Sequence, residues 1–401
     1  MTSLLIRNSF LLAKTEDAYG VLGSAIANTD ALKIISMEIN PLAGTRVQRA
    51  LIKGYMGADR QPLTNEHSAI TITFEWGGSG VAATAPRFSP LLLACGMNLT
   101  SVAEITGTPT AGGPNTLTLA DLGNPPGGSN PLSNAYLGFP IEITAGLGAG
   151  SKGIIETHDG ATRVVTVAPS TSTFVTDETS IYRIAPLSLY QPISTFGNSS
   201  SCTLVAVKDV NVHRIEGFRG SPAMAAPLNG YGTFTVTGVG RYVTPTAKST
   251  ESFVYSNQAD PPPVTPRHTR ALRFQGFNPC SEGFTFDWGL SNVFRSLIGC
   301  DPSARITDRP NPNGTLTIEN PPVATKNFFT AAADNSGASD GPFMVQQGTV
   351  ETQSSIFFCP KVAISGDLSF SDSDGIDMLQ IPFTALPNSP AGNDETRLIF
   401  F

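Results

Sequence analysis

The sequence has little of what marks a metal site, a disulfide framework or a membrane segment. Its 4 histidines and 5 cysteines are far apart, and none has the spacing of a zinc site or of paired cysteines. No apolar run approaches the roughly 20 residues that a membrane-spanning helix needs. The N-terminal stretch is too interrupted for a signal peptide. We therefore expect reduced thiols in a chain without a membrane segment, a bound metal or a cofactor.

Positive charge is also scarce. The chain has 25 Lys and Arg against 32 Asp and Glu, which gives a net charge of −7. General binding to nucleic-acid phosphate needs clustered Lys and Arg, so this balance argues against it. Glycine and proline are plentiful, at 39 and 31 residues of the 401. Such a composition favours many turns and short strands over long helices, and it predicts a mainly β chain.

Three short motifs invite a chemical interpretation. A GxSxG motif spans Gly337–Gly341, but no histidine lies downstream of it, because the last one is His268. A nucleophile elbow needs a preceding strand and a following helix, and a surface loop is the better interpretation here. The run GAGSKG at 148–153 lacks phosphate-loop spacing and reads as a hairpin loop. No nucleophile, base and oxyanion donors occur together, so an enzyme is not expected.

The third motif is SDSDG at 371–375, where Asp372 and Asp374 alternate as they do in calcium loops. The later glutamate of such loops is missing. Asp-Gly between two alternating runs is a strong signal for a two-residue hairpin turn. The hairpin is favoured, and a cation site at these aspartates stays open.

A short phrase recurs three times in the chain. Each copy is an Arg-containing, strand-like run, and each is followed by turn residues and then by an alternating polar and apolar segment. Internal repetition of this kind indicates that one β unit is used more than once. The runs are Arg46–Gly54, Asn211–Gly220 and Asn292–Gly299, and the alternating segments are Ala69–Trp76, Gly232–Gly238 and Gly314–Asn320.

A short helix is predicted after the first and the last alternating segments. In TAPRFSPLLLACGM, Pro90 suits a helix start and Gly96 a helix stop. The segment PPVATKNFFTAAADNSG holds the same place later in the chain, with Phe328, Phe329 and Ala332 as its apolar residues. The shared order supports two copies of one β-sandwich or barrel unit, each with a short flanking helix.

These signals divide the chain into a first unit interrupted by an insertion, a linker and a second unit. Thr, Gly, Pro and Asn dominate residues 105–135, and four short strands are predicted beyond them. We expect the small inserted β domain to be removable. The predicted boundaries are an N-terminal arm and first strand at 1–45, the first unit at 46–104 and 186–244, the insertion at 105–185, a linker at 245–267 and the second unit at 268–401.

The ordered set of motifs resembles the major tail tube proteins of long-tailed, non-contractile bacteriophages. The motifs are LLAKTEDAYG, DALKIISMEINPL, TAPRFSPLLLACGM, GTFTVTGVGRYV and the ending GNDETRLIFF. The insertion resembles a small β module of phage tail proteins. The resemblance covers most of the chain, although the insertion and linker make it longer than a one-domain tube subunit.

The resemblance implies a virion structural protein, assembled in the host cytoplasm, whose strands join a continuous barrel across a ring of subunits. Stacked rings would conduct viral DNA during ejection without sequence-specific binding. Two units per chain imply pseudo-sixfold trimers, with hexamers as the alternative. The expected partners are other copies of the chain and other tail proteins, with no membrane. Alternatives are a minor tail, tail-terminator or head-decoration protein, or, less favoured, a carbohydrate-binding or hydrolytic β-protein.

Six residues are candidates for contacts between subunits. Three are the recurring arginines, which could pair with carboxylates of a neighbouring subunit or equally be solvated strand residues. The others lie in the predicted N-terminal arm, which would bridge successive rings. The six are Leu11, Leu12, Tyr19, Arg49, Arg214 and Arg295.

Overall fold

The computed structural model describes residues 8–120, 134–170, 173–195, 199–249 and 251–401. The predicted mainly β class is confirmed, with short strands throughout and two short α-helices among the described residues. The first part of the chain contains a 3-10 helix at Asn28–Asp30 and these elements: β1 (Ser9–Thr15), β2 (Ala31–Leu32), β3 (Ser36–Arg46), β4 (Leu63–Glu75), α1 (Ser89–Ala94) and β5 (Met97–Val102).

In the described residues of the middle of the chain, strands are the only regular elements. Its strands are β6 (Ile105–Gly107), β7 (Ala111–Gly113), β8 (Thr116–Thr118), β9 (Pro140–Ala145), β10 (Lys152–His158), β11 (Val164–Pro169), β12 (Ile181–Ile184), β13 (Leu187–Pro192), β14 (Cys202–Lys208), β15 (Asn211–Pro227), β16 (Thr233–Tyr242) and β17 (Thr246–Ala247).

The last part repeats the mixture of strands and one short helix. Its elements are β18 (Thr269–Phe274), β19 (Ser281–Asp287), β20 (Ser291–Arg295), β21 (Ser303–Asp308), β22 (Asn313–Glu319), α2 (Phe328–Ala332), β23 (Gly341–Gln347), β24 (Ser355–Ile364), β25 (Ser369–Ser373), β26 (Ile376–Ala385) and β27 (Arg397–Phe400).

The two units follow the same order of elements. In the first, the antiparallel pair β3–β4 is followed by α1, the pair β5–β13 and the hairpin β15–β16, whose last strand returns to pair with β4. In the second, the pair β19–β22 is followed by α2, the pair β23–β24 and the hairpin β25–β26, whose last strand returns to pair with β22. The first and third copies of the sequence repeat, at 46–54 and 292–299, therefore lie at equivalent places in this order. The second copy, at 211–220, lies in β15 at a different place, so its inclusion in the repeat was wrong.

The helices begin and end where local chemistry permits. Pro90 lies in the first turn of α1, where its missing N–H costs no hydrogen bond, and Gly96 follows the helix with a φ of 68°. Asn327 caps α2, because its side-chain oxygen accepts from the backbone N–H of Thr330. Leu91 and Leu92 of α1 are fully buried, so this helix closes one end of the core.

One hydrophobic core serves both units. Trp76 and Phe234 of the first unit lie against Phe284 and Trp288 of the second, with ring centroids 6.2 Å apart for both Trp76–Phe284 and Phe234–Trp288. Large aromatic side chains supply most of the buried apolar area at this junction, which is the main source of stability in a β-domain. The units are therefore packed halves of one body.

The inserted strands β6–β12 form a separate seven-stranded sheet. Leu187 of β13 pairs with Val102 of β5, so the two ends of the insertion are adjacent. Its core nevertheless includes residues of the second unit, such as Phe358 and Ile399, both fully buried. Arg397 of β27 donates to the backbone carbonyls of residues 134, 135 and 137. The insertion is therefore bound to the main body by both packing and hydrogen bonds.

Several local expectations were wrong. Residues 9–15 are no free arm, because β1 pairs along its whole length with β14. Residues 47–54 form no strand, since β3 ends at Arg46.

The expected loop at 105–135 contains β6, β7 and β8, and its residues 121–133 lie outside the described part. The expected linker 245–267 packs into the body, where the Gln258 side chain bonds both the N–H and the carbonyl of Lys33. Residues 1–7 of the predicted arm also lie outside the described part.

Candidate assembly surface

Eight strands that are neighbours in one sheet form a broad surface across both units. Their order is β3, β4, β16, β15, β19, β22, β26 and β25, and every neighbouring pair is antiparallel. Antiparallel sheets can bury one face and leave the other to solvent, which gives a clean alternation of side chains. This run of strands does so.

The two units meet in the middle of this surface, at the pairing of β15 with β19. Ala225 pairs with Thr285 and Met224 with Phe286, and the contact extends to Pro227 opposite Gly283. This pairing of β15 with β19 is called the seam below. It joins the sheet of the first unit to that of the second through main-chain hydrogen bonds.

The outer strands of this run are β3 and β25. Within the described residues, β3 pairs only with β4, and β25 only with β26. By strand order, β3 corresponds to β19 and β25 to the part of β15 that forms the seam. The two unpaired edge strands, β3 and β25, are thus equivalent to β19 and β15, the two strands that pair with each other at the seam. An exposed edge offers a row of free N–H and C=O groups to another strand.

One face of the eight-stranded surface is apolar and packs on the core. Phe74, Phe234, Phe286 and Ile381 on this face are each at most 1% exposed. The outermost strand contributes Met37 and Ile39, which are partly buried against the same cluster. This alternation arises because successive side chains of a strand point to opposite faces.

The other face carries hydroxyl and acidic side chains. Cross-strand threonine pairs line it, with Oγ1 atoms 3.2 Å apart for Thr71–Thr237 and 3.3 Å apart for Thr73–Thr235. No Lys or Arg occurs in residues 36–40, 69–75, 221–227, 233–239, 283–287, 313–319, 369–373 or 376–384, which are the central stretches of the paired strands. The paired ends of β3, β15 and β16 carry Arg46, Arg219 and Arg241. The acidic residues of this face are Glu38, Glu75, Asp287 and Glu319. The polar face therefore has no cation in these stretches to hold a polyanion.

The strands of each leading pair are joined by a long connection. Residues 47–62 link β3 to β4, and residues 288–312 link β19 to β22. The second connection contains the hairpin β20–β21, which folds back onto the first unit: Nδ2 of Asn292 donates to the carbonyl of Arg219 at 3.2 Å. The first connection is exposed, and its Ile52 and Met56 have relative exposures of 105% and 104%. Ile298 of the second connection is exposed to the same extent, at 106%.

The six residues proposed from the sequence fall into three groups. Leu11 and Leu12 are 0% and 3% exposed in the chain's own core, so their assignment to a subunit contact is wrong. Arg49 is exposed on the first connection, and Arg214 forms an ion pair with Glu216 at 2.8 Å. Tyr19 and Arg295 line one cavity together, away from the two free edges.

Tyr19 is held in place by the chain itself. Its hydroxyl accepts from the N–H of Ala304, and burial raises the pKa of its phenol. The turn before it is anchored by Glu16, whose buried carboxylate accepts from Ser201, Thr203 and the N–H groups of Gly20 and Gly217. Buried carboxylates persist only when hydrogen bonds compensate for lost hydration. Residues 16–20 are therefore a fixed part of the fold.

The three motifs examined for chemistry lie in loops and turns. Residues 337–340 lie in the loop between α2 and β23, which begins at Gly341. Residues 148–151 lie in the turn between β9 and β10, and Lys152 and Gly153 begin β10. Asp374 and Gly375 have φ of 52° and 82° between the paired residues Ser373 and Ile376, so the predicted two-residue hairpin is confirmed. Among the described residues no group of three or more His, Cys, Asp or Glu could hold a metal ion.

Two features were not predicted from the sequence: the free edge of β25, and the cavity at Tyr19 that is lined by Arg219, Arg241, Arg295 and Arg305. A signal for the first was present, since Ser369–Ser373 alternates with serine on one side. No signal existed for the second, because its arginines are far apart in sequence. Within the part of the chain that the structure describes, no helix is long and apolar enough to cross a membrane. Neither a protein-family model nor a curated protein sequence matches this chain.

Proposed function

We propose that this chain is a structural subunit of a bacteriophage tail tube, which assembles with copies of itself into stacked rings around a channel for DNA. The observation that carries the proposal is the pair of free edges, β3 and β25, on a sheet whose equivalent strands already pair at the seam. The next chain would repeat the seam between β25 of one copy and β3 of another. Repetition of one head-to-tail contact closes a ring when the rotation permits.

The number of chains follows from the duplication. If each unit occupies one position of a sixfold ring, three chains complete it, and internal seams alternate with seams between chains. The exposed first connection, with Ile52 and Met56, would lie on a neighbouring copy as the hairpin β20–β21 lies on the first unit within the chain.

The polar face supports a role as a channel lining. A conduit for DNA should present a surface to which phosphate adheres weakly, and the central stretches of this face bear acidic and hydroxyl groups without Lys or Arg. Arg219 and Arg241 are paired at one end of the same strands, outside these stretches. The main-chain groups of a closed barrel are satisfied by neighbouring strands, which removes the exposed edges that would otherwise aggregate.

The seam also supplies the register of the proposed contact. Thr71 and Thr73 of β4 correspond to Thr315 and Thr317 of β22, because these strands hold the same place and share the pattern of threonines. On this alignment Glu38 of β3 corresponds to Thr285, and Ser371 of β25 corresponds to Ala225. Since Thr285 pairs with Ala225 within the chain, we expect Glu38 to lie opposite Ser371 of the next copy.

The test is cysteine cross-linking of this contact in a Cys280→Ser, Cys300→Ser background, which removes the two exposed thiols. Glu38→Cys with Ser371→Cys should give disulfide-linked trimers under mild oxidation of the assembled protein, because opposite residues of antiparallel strands bring Cβ atoms to about 4.5–5.5 Å. The products are resolved on a non-reducing gel.

Two controls accompany it. Ala225→Cys with Thr285→Cys should link within one chain, which verifies that the seam geometry permits a disulfide. Met37→Cys with Ser371→Cys should link poorly, because neighbouring residues of a strand point to opposite faces. Failure of Glu38→Cys with Ser371→Cys, while the internal control links, would contradict the proposed ring contact.

A further inference from the structure

Four arginines surround one open cavity beside the seam. The cavity has a volume of about 620 Å³ and is lined by β15, β16, the hairpin β20–β21 and the turn at Tyr19. The arginines come from four different strands, two in each unit. They are Arg219, Arg241, Arg295 and Arg305.

Arg219 forms the floor of this cavity, with only 7% of its surface exposed. Its Nη1 donates to the carbonyl of Ala304 at 3.2 Å and its Nη2 to the carbonyl of Ser199 at 2.6 Å. Its Nε is buried without a hydrogen-bond partner. A buried, unsatisfied donor on a charged group is costly, and native proteins keep few of them.

The other arginines also have spare donors. Arg241 donates from Nε to the carbonyl of Pro302 at 2.9 Å, and Arg305 from Nε to Ser303 at 3.2 Å. Among the described residues, no ion pair within 4.0 Å joins any of the four arginines to a carboxylate. Arg305 also faces Arg219 closely enough to lower its pKa, although burial is the larger cause.

Negative charge near these groups is small. Asp301 is the one carboxylate among the residues lining the cavity. Glu16 lies outside the lining, and its carboxylate raises the pKa of Arg219, but its oxygens already accept four hydrogen bonds from other groups. Four guanidinium groups therefore face one lining acid in a chain whose net charge is −7. Like charges gathered in this way repel one another unless an anion lies between them.

The surroundings of Tyr19 argue against an anion that carries a stacked aromatic base. The guanidinium carbons of Arg219 and Arg241 lie 5.2 Å and 5.0 Å from its ring centroid. Both cations engage the one aromatic ring that lines the cavity, so the ring is a poor platform for stacking a base. The cavity is thus adapted to negative oxygens.

We propose that this four-arginine cavity binds a compact, multiply charged phosphate anion that bridges the two units. Arginine donates in a planar fork that matches phosphate oxygens, and several guanidinium groups can share one such anion. The volume lies within the roughly 300–1,000 Å³ of typical ligand sites. The site uses no residue of β3 or β25, so it goes beyond the proposed function and is testable apart from it.

The experiment is calorimetric titration of the full-length chain with tripolyphosphate, ATP and citrate at constant, low ionic strength. Tripolyphosphate should bind with one site per chain. ATP distinguishes a nucleotide from a free polyphosphate as the source of the phosphate: equal affinity means that only the phosphates are read, and tighter binding of ATP means a nucleotide. Tighter binding of citrate than of either phosphate ligand would instead assign the cavity to carboxylates, such as those of another copy, and overturn the proposal.

Three variants locate the binding. Arg241→Gln with Arg305→Gln should weaken tripolyphosphate binding by roughly tenfold or more, since each removes charged donors. Asp301→Asn should tighten it, because it removes the lining acid. Arg270→Gln, an exposed arginine outside the cavity, should leave it unchanged. Circular dichroism of each variant verifies folding. Unchanged affinity in the folded double variant, or no binding by the wild-type chain, would overturn the proposal.

Discussion

The connection between β3 and β4 and the connection between β19 and β22 hold the same place in the two units, but they differ in how much they pack on the rest of the chain. The second carries the hairpin β20–β21 and packs on the first unit, where Ile306 is 4% exposed. Ile298 of the second connection is nevertheless 106% exposed. The first, residues 47–62, leaves Ile52 and Met56 in solvent. Because residues 47–62 and 288–312 hold equivalent places and both carry apolar side chains, we expect them to make equivalent contacts. In the proposed ring, one contact is completed within the chain and the other with a second copy.

The units differ again after their helices. Between β5 and β13 the first unit has the whole inserted sheet, whereas β23 and β24 are joined by residues 348–354 alone. Replacing 103–186 by the residues of that short connection should make the chain insoluble, contrary to the expectation that the insertion is removable. The reason is that Phe358 and Ile356, both fully buried, would become exposed. Recovery of soluble protein from cell lysates measures the effect.

The matched variant adds Ile356→Thr and Phe358→Thr to the same excision. It should restore part of the soluble yield, since the exposed surface then carries hydroxyl groups. Full solubility of the simple excision would show that the insertion stands apart from the main body.

A single substitution in each connection sharpens the first comparison. Ile306→Ala should lower the free energy of unfolding by about 2–5 kcal/mol, because it leaves a cavity in packed surroundings. Ile52→Ala should change it by less than about 0.5 kcal/mol, because the side chain is already exposed in the isolated chain. Urea unfolding of the unassembled protein compares the two. Similar losses for both would mean that residues 47–62 pack within their own chain.

Substitutions in the first connection, which should barely change folding stability, should weaken ring formation. Ile52→Ser with Met56→Ser should raise the protein concentration required for ring formation by roughly tenfold or more, since two apolar side chains lose burial. Sedimentation velocity against protein concentration measures this. Val350→Ser is the control, because Val350 is 57% exposed in a different loop. An equal effect of the control would remove the special role of residues 47–62.

The smallest effect concerns acid stability of the insertion relative to the main sheet. Burial lowers the pKa of His158 in β10 and of His213 in β15 below the ordinary value of 6.5. The unfolded chain then binds protons more readily, so the free energy of unfolding falls as the pH drops below about 6.5 and levels off once the folded groups are protonated. Both ring nitrogens of His158 are buried without a partner.

His158→Phe should therefore flatten part of this pH dependence, and His213→Phe another part. Thermal unfolding from pH 8 to pH 5 provides the measurement, and hydrogen exchange tells whether the insertion opens first. An unaltered pH profile in both variants would mean that other groups govern acid stability.

Local sequence patterns predicted much of the fold. The alternation of Ala69–Trp76 predicted β4, proline and glycine bounded α1, and Asp374–Gly375 predicted the β25–β26 turn, because each depends on neighbouring residues. Residues 47–54 were predicted to be part of a strand-like run, but β3 ends at Arg46 and most of these residues are exposed. The first strands of the insertion were hidden by glycine and proline, which weaken the usual strand signal.

The eight-stranded surface and the four-arginine cavity were harder to predict from the sequence. Arg295 was singled out, but its companions Arg219, Arg241 and Arg305 converge only after β20–β21 folds across the seam. Leu11 and Leu12 were assigned outward because nothing near them in sequence reveals β14, nearly two hundred residues away, as the strand that β1 joins. Long-range pairing of this kind leaves no local trace.

The seam has a kinetic consequence for any ring built from these chains. Because β15 and β19 belong to one polypeptide, every second junction forms at an effective concentration fixed by the chain and unaffected by dilution. Only the remaining junctions respond to protein supply. Dilution would therefore open such rings at alternate positions and release intact two-unit segments.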